Sequence, residues 1–142
     1  MIENMTFYIS HSLLHRPYMY KRIHKIHHEH KITTSIAAIY AHPLEYLIGN
    51  AIPATLGPFM LGRRMHMSSY FAWGIWRIAE AVQGHSGYDF TWNPYRFIHL
   101  TSDGKEHAFH HSENIGNYSG SIWDLIFGTN LGSKKLADFK TE

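Results

Sequence analysis

The chain alternates between stretches of helical periodicity and short polar breaks. Residues 6–15 place apolar side chains three and four apart, the spacing that lines one face of an α-helix. The pattern stops at Arg16-Pro17, where proline and the restriction on its predecessor oppose a helix, and resumes over residues 18–30. Residues 32–61 are the most apolar part, long enough for a bilayer core of about 30 Å. His42, Pro43, Glu45, Asn50, Pro53 and Pro58 interrupt them. That predicts two short helices forming a hairpin within a membrane, polar side chains turned inward, rather than one straight span, with a soluble helical core as the alternative reading here and over 65–83. Residues 65–83 read as an aromatic-rich helix with Arg77 and Glu80 one turn apart. A turn-rich break follows at Gly84-His85-Ser86-Gly87-Tyr88-Asp89. Thr101-Ser102-Asp103-Gly104 reads as a second turn, with Asp103 as the N-cap of the next helix. Residues 121–127 predict a short apolar helix stopped by Gly128, and the last ten residues are polar. The elements define an all-α chain, and no linker divides residues 1–142, so a single domain is expected.

Composition narrows the chemistry. At 142 residues with 44% apolar and 17% charged content, the chain suits one folded domain and is not disordered. The absence of cysteine excludes disulfide scaffolds, thiolate zinc fingers, iron–sulfur clusters and cysteine nucleophiles. Thirteen Lys and Arg against eleven Asp and Glu are too even for a nucleic-acid binder. Thirteen histidines change the picture, because imidazole is the common neutral nitrogen ligand.

Their positions are not even. His11 and His15 are four apart, and two His-x-x-His-His triplets follow, His24/His27/His28 and His107/His110/His111. On a helix each set turns two or three imidazoles from one face toward a common point. Eight imidazoles in three sets exceed one tetrahedral zinc and suit a pair of metal ions with open positions. A donor set rich in imidazole favours Fe, Zn, Cu or Ni over Mg or Ca. A lone His66 or His99 is an ordinary surface or core residue, and a pH-sensing cluster gives no reason for the repeated spacing. His28-Glu29 does not open a zincin motif, because position 32 is Ile.

HSLLH, HKIHH and HAFHH in that order, with HSGYDF between the second and third, resemble the fatty acid hydroxylase/sterol desaturase superfamily. AHPLEYL and IGNYSGSIWDLIFGT are most similar to its C4-methylsterol monooxygenases. The resemblance implies His11, His15, His24, His27, His28, His107, His110 and His111 as metal ligands, with His85 as a ninth between the boxes. It makes Glu29, Asp89 and Asn117 candidates for orienting those ligands, since a metal-bound imidazole needs its second nitrogen satisfied. His42 matches a signature but not a box. Two departures are visible: Ala108 stands where third boxes carry Asp, and Glu106 where a histidine is expected. The resemblance further implies a membrane-embedded helical domain with a histidine-rich cytosolic-side cap holding a dinuclear site. Two iron ions, replaceable by zinc, would use O2 and electrons from NAD(P)H through cytochrome b5 to hydroxylate a lipid C–H bond in the endoplasmic reticulum. The best substrate is a sterol C4-methyl group, with another sterol, a fatty acyl or a sphingolipid chain as alternatives. The chain resembles the C-terminal half of such a protein, lacking the membrane hairpin before the first box. A remnant that binds metal or a partner without catalysis is the contrasting expectation.

Overall fold

The computed structural model describes residues 1–88, 90, 92–97 and 104–131, and among them the secondary structure is entirely helical. α1 spans Ile2–Leu14 and α2 spans Pro17–Arg22, with Pro17 in the first turn and Arg16 extended at ψ 141, as the residue before proline prefers. The predicted helix over 18–30 does not continue beyond α2. At Ile23 (φ −127, ψ −66) the backbone leaves the α conformation and re-enters as a 3-10 helix, His24–Glu29. The triplet HKIHH therefore rides on the tighter helix of about three residues per turn.

A second 3-10 segment, Ser35–Ile39, leads to a helical rod over residues 43–61. The rod joins α3 (Pro43–Glu45), a π-helical stretch (Tyr46–Ala51) and α4 (Ile52–Leu61). Gly62, with φ 52, turns the chain toward α5 (Met67–Gly84). The sequence placed a hairpin inside 32–61; in the structure the rod and α5 pack together instead. Pro58 explains one link between them. Lacking N–H, it cannot bond the carbonyl four residues back, and Trp73 Nε1 donates to that Ala54 carbonyl at 2.8 Å. Two histidines outside the boxes act as N-caps: His42 Nδ1 accepts from Leu44 N–H at 3.1 Å, and His66 Nδ1 from Ser68 N–H at 3.2 Å.

α6 (Gly104–Glu113) packs on α5, and a Cβ at Gly104 would meet the Tyr88 carbonyl at 3.0 Å. Asp103, its predicted cap, lies outside the described residues, as do His99 and the last eleven positions. α7 (Ile122–Ile126) starts at Ser121 in a capping box with Asp124. The loop before it takes left-handed backbone at Asn114, Gly116 and Asn117, and a Cβ on Gly116 would come within 2.6 Å of Leu131. Tyr8 fastens α1 to this end, stacked 5.0 Å from Phe127 and hydrogen-bonded to Thr129 at 3.2 Å.

The interior is polar. Leu14, Phe109, Tyr8 and Tyr95 are buried, but beside them lie eight histidines, Glu3, Glu45, Asn117 and Asp124. Large apolar side chains of the rod and α5, among them Phe59, Met60, Phe71, Ile75 and Ile78, are exposed. No helix among the described residues is long and apolar enough to cross a membrane.

Candidate metal centre

Nine imidazoles converge in two groups. His11, His15, His24, His28 and His110 form one, and His27, His85, His107 and His111 the other; within each the ligand atoms lie within 4.8 Å of one another. The triplets do not each serve one point, as their spacing suggested. Residues four apart stay together, so His11/His15, His24/His28 and His107/His111 are each within a group. The residue three along crosses over: His27 joins the second group and His110 the first. His85 arrives from the end of α5 and completes the second group, against His107 with ring centroids 4.2 Å apart.

The rings are aimed by their Nδ1 atoms. His27 donates to the Tyr40 carbonyl at 3.0 Å, His85 to Ala81 at 2.9 Å, His110 to Gly116 at 2.6 Å, and His11 to Tyr118. His24 Nδ1 meets Glu45 Oε1 at 2.7 Å. A carbonyl only accepts, so each such Nδ1 carries the proton and leaves Nε2 a bare lone pair. Those Nε2 atoms face one another at 2.8–3.3 Å across both groups. His27 and His85 are the clearest case: both Nδ1 protons are given to carbonyls, yet their Nε2 atoms stand 3.3 Å apart with no proton between them. Lone pairs so arranged repel unless a cation lies among them. A first-row ion about 2.0–2.1 Å from each nitrogen has ligand–ligand edges of ~2.9–3.4 Å, so the donor set fits a metal in each group.

Burial keeps these rings neutral. Desolvation, then the charge of neighbouring imidazoles, pulls His11 down to about 4, His28 and His85 to about 3 and His15 to about 2. His24, His27, His107, His110 and His111 shift the same way for the same leading reason. Neutral imidazole is the ligand form, so a cation could enter either group without displacing protons from ring cations at neutral pH.

The residues expected to orient ligands fall elsewhere. Glu29 is exposed and accepts from the Tyr40 hydroxyl at 2.8 Å, while the Tyr40 carbonyl accepts from His27. Asn117 is fully buried, donates to the Glu106 carbonyl at 3.4 Å and accepts from Leu131 N–H at 2.9 Å. It shapes the loop whose Gly116 and Tyr118 carbonyls hold His110 and His11, rather than meeting a ring itself. Asp89 lies outside the described residues. Two carboxylates were missed. Glu45 stood in the sequence as a lone acid within an apolar run, a signal of a buried partner. Asp124 sits three residues after Ser121, and accepts from Tyr118 N–H, Ser119 N–H and hydroxyl, and the Thr129 hydroxyl at 2.7–2.8 Å. It thereby fixes the loop behind His11 and His110.

His11, His24, His27, His85 and His107 border a cavity of about 90 Å³. Beside it an apolar cavity of about 440 Å³ runs between the rod and α5, and the two share Phe7, Ala38, Gly49, Asn50, Arg77 and Ala81. A compact histidine-walled chamber thus opens beside a space suited to an apolar ligand.

These features define a helical protein whose interior holds two all-imidazole groups, each able to hold a metal ion. The chain belongs to the fatty acid hydroxylase family, whose model matches residues 1–129. It is 41% identical over 136 residues to methylsterol monooxygenase 1 of Rattus norvegicus, covering 92% of this chain and 44% of that protein. Methylsterol monooxygenase 2-2 of Arabidopsis thaliana is 35% identical, over 98% of this chain and 53% of its own. A very-long-chain aldehyde decarbonylase of Oryza sativa is 35% identical, over 94% and 51%. The chain spans about half the length of these curated relatives. No solved structure matches it significantly.

Proposed function

We propose that the chain carries the metal centre of an O2-dependent monooxygenase that hydroxylates a lipid C–H bond, a C4-methyl group of a sterol in the first instance. The observation that carries this reading is the convergence of nine imidazoles, in two groups, beside an apolar cavity. The names of the rat and Arabidopsis relatives support the sterol.

Two iron ions, when bound, supply the activation of O2, one oxygen atom entering the C–H bond and the other leaving as water with two electrons and two protons. His11, His15, His24, His28 and His110 would hold one ion, and His27, His85, His107 and His111 the other. The chain's own part is geometric. Carbonyls of Tyr40, Ala81, Gly116 and Tyr118 lock the rings in one tautomer and one orientation. Ala38, Ala54, Tyr70, Trp73 and Ile78 wall the apolar cavity, hold the lipid body against the histidine chamber and keep water out. Electrons come from NAD(P)H through a cytochrome b5-type donor. The exposed apolar face of the rod and α5 rests on lipid of the endoplasmic reticulum membrane.

The test is metal content per chain by elemental mass spectrometry on detergent-purified protein, followed by turnover of a 4-methylsterol. About two ions per chain are expected, one for each histidine group, with loss in His27→Ala and in His110→Ala. The product is expected one oxygen atom heavier than the substrate. Less than one ion per chain, unchanged by either substitution, refutes the reading. A second reading rests on the rice relative: conversion of a very-long-chain aldehyde, with the sterol untouched, supports it instead.

A further inference from the structure

A charged cluster that the metal centre does not use stands where the two cavities meet. Arg77 on α5 bonds Glu3 of α1 through Nη2 at 2.6 Å and Glu80 through Nη1. Arg77 lines both cavities, Glu3 the apolar one and Glu80 the histidine-walled one. The cluster is shielded from solvent, with side chains 20% exposed at Arg77 and 6% at Glu3. Arg77 Nε is a buried donor without a partner. An ion pair that merely tied α1 to α5 would need neither a place on both cavities nor a spare donor. Buried donors are ordinarily satisfied, so an unmet one beside a ligand space points to the ligand.

The sterol reading above, on which this inference rests, puts ring carbon C4 at the metal centre. The sterol's hydroxyl is on C3, the adjacent carbon, and therefore close to the chamber's edge. We propose that Glu3, Arg77 and Glu80 form the specificity site for that hydroxyl: Arg77 Nε–H donates to its oxygen, and a carboxylate of the cluster accepts its hydrogen. Two carboxylates around one guanidinium carry a formal charge of −1. An anionic head group in the same place meets net repulsion, and a hydrocarbon leaves the buried donor unmet. The cluster selects a neutral lipid alcohol.

The experiment is a tryptophan-fluorescence titration of the metal-loaded full chain in detergent micelles, with Trp73 in the cavity wall as reporter. The probes are 5α-cholestan-3β-ol, 5α-cholestane and cholesterol sulfate. The alcohol is expected to bind about tenfold more tightly than either of the others, the gain of one satisfied buried pair. Arg77→Gln is expected to bring alcohol and hydrocarbon within about twofold of each other. Because that variant leaves two buried carboxylates without their cation, Glu80→Gln provides the second arm. It keeps the guanidinium and Glu3, and is expected to narrow the gap between alcohol and sulfate while the preference over hydrocarbon persists. A ratio across ligands is insensitive to a general loss of stability. If wild type binds hydrocarbon as tightly as alcohol, this proposal fails and the sterol reading stands. If none of the three binds, both fail. An alcohol preference that survives in folded Arg77→Gln places recognition elsewhere and overturns the proposal.

Discussion

Glu45 holds His24 with one carboxylate oxygen, and its other oxygen is buried without a partner. Burial pushes this carboxyl up to about 8, and positive charge on neighbouring ions would draw it back toward the carboxylate. Glu45→Ala strips His24 Nδ1–H of its acceptor and frees the ring to turn. A tenfold to hundredfold loss of metal affinity is expected, on the order of losses at other such outer contacts, while Glu45→Gln keeps an acceptor and loses less. Competition with a chelator of known affinity measures both; equal affinities in wild type and Glu45→Ala would show that the contact does not orient the ligand. At this scale the histidines were legible because imidazoles three and four apart have few other reasons to recur. Their partners were not. Three of the five Nδ1 acceptors described are a carboxylate or carbonyls 13 to 107 residues away, and a carbonyl leaves no trace in residue identity. Glu29 and Asn117 drew attention because their side chains are polar and close in sequence, yet proximity in sequence did not bring them to a ring.

Helices were legible where apolar periodicity ran long, as in α5, expected over 65–83 and found at Met67–Gly84. The same signal could not separate α from 3-10 winding over the six residues His24–Glu29, where the two periods differ by a fraction of a turn. Nor could it report that Pro58 leaves a carbonyl for another helix to satisfy. That last link is testable within its own elements. Trp73→Phe removes the donor to Ala54 and leaves a half-buried carbonyl without it, an expected loss of about 1 kcal/mol. Pro58→Ala returns a backbone N–H four residues after Ala54, so in the Trp73→Phe background it is expected to recover part of that loss. Denaturant midpoints of the two single variants and the double variant decide it, and strictly additive effects would rule out a shared acceptor.

Over the whole molecule, imidazole fills the place aliphatic side chains usually hold, and acid acts on that interior first. In the metal-free chain His11 titrates at about 4 and His28 and His85 at about 3, against 6.5 when unfolded. Below pH 6.5 the unfolded chain therefore binds more protons than the folded one. Stability is full above 6.5 and falls as pH drops, by about 1.4 kcal/mol per pH unit for each such histidine, until about pH 4 where His11 titrates in place. Glu45 has the opposite sign, its raised carboxyl losing stability as pH climbs toward 8, and burial raises Glu3 and Glu80 as well, but these are three groups against nine lowered histidines. The urea midpoint of the metal-free chain is expected to fall clearly between pH 7.5 and 5.5, and a midpoint that rises would refute neutral burial. The family and the all-helical class were open to reading because the boxes run in order along nearly the whole chain; the division of ligands was not, since it depends on which way each turn faces after folding. That division has a consequence for assembly. The segment His24–Glu29 and α6 each donate to both groups, so neither ion has a private scaffold. Were two ions bound, seating one would straighten the straps on which the other is buckled, and removing one would slacken both. Chains carrying a single ion are then expected to be the rare species, with the two groups filling and emptying as a pair.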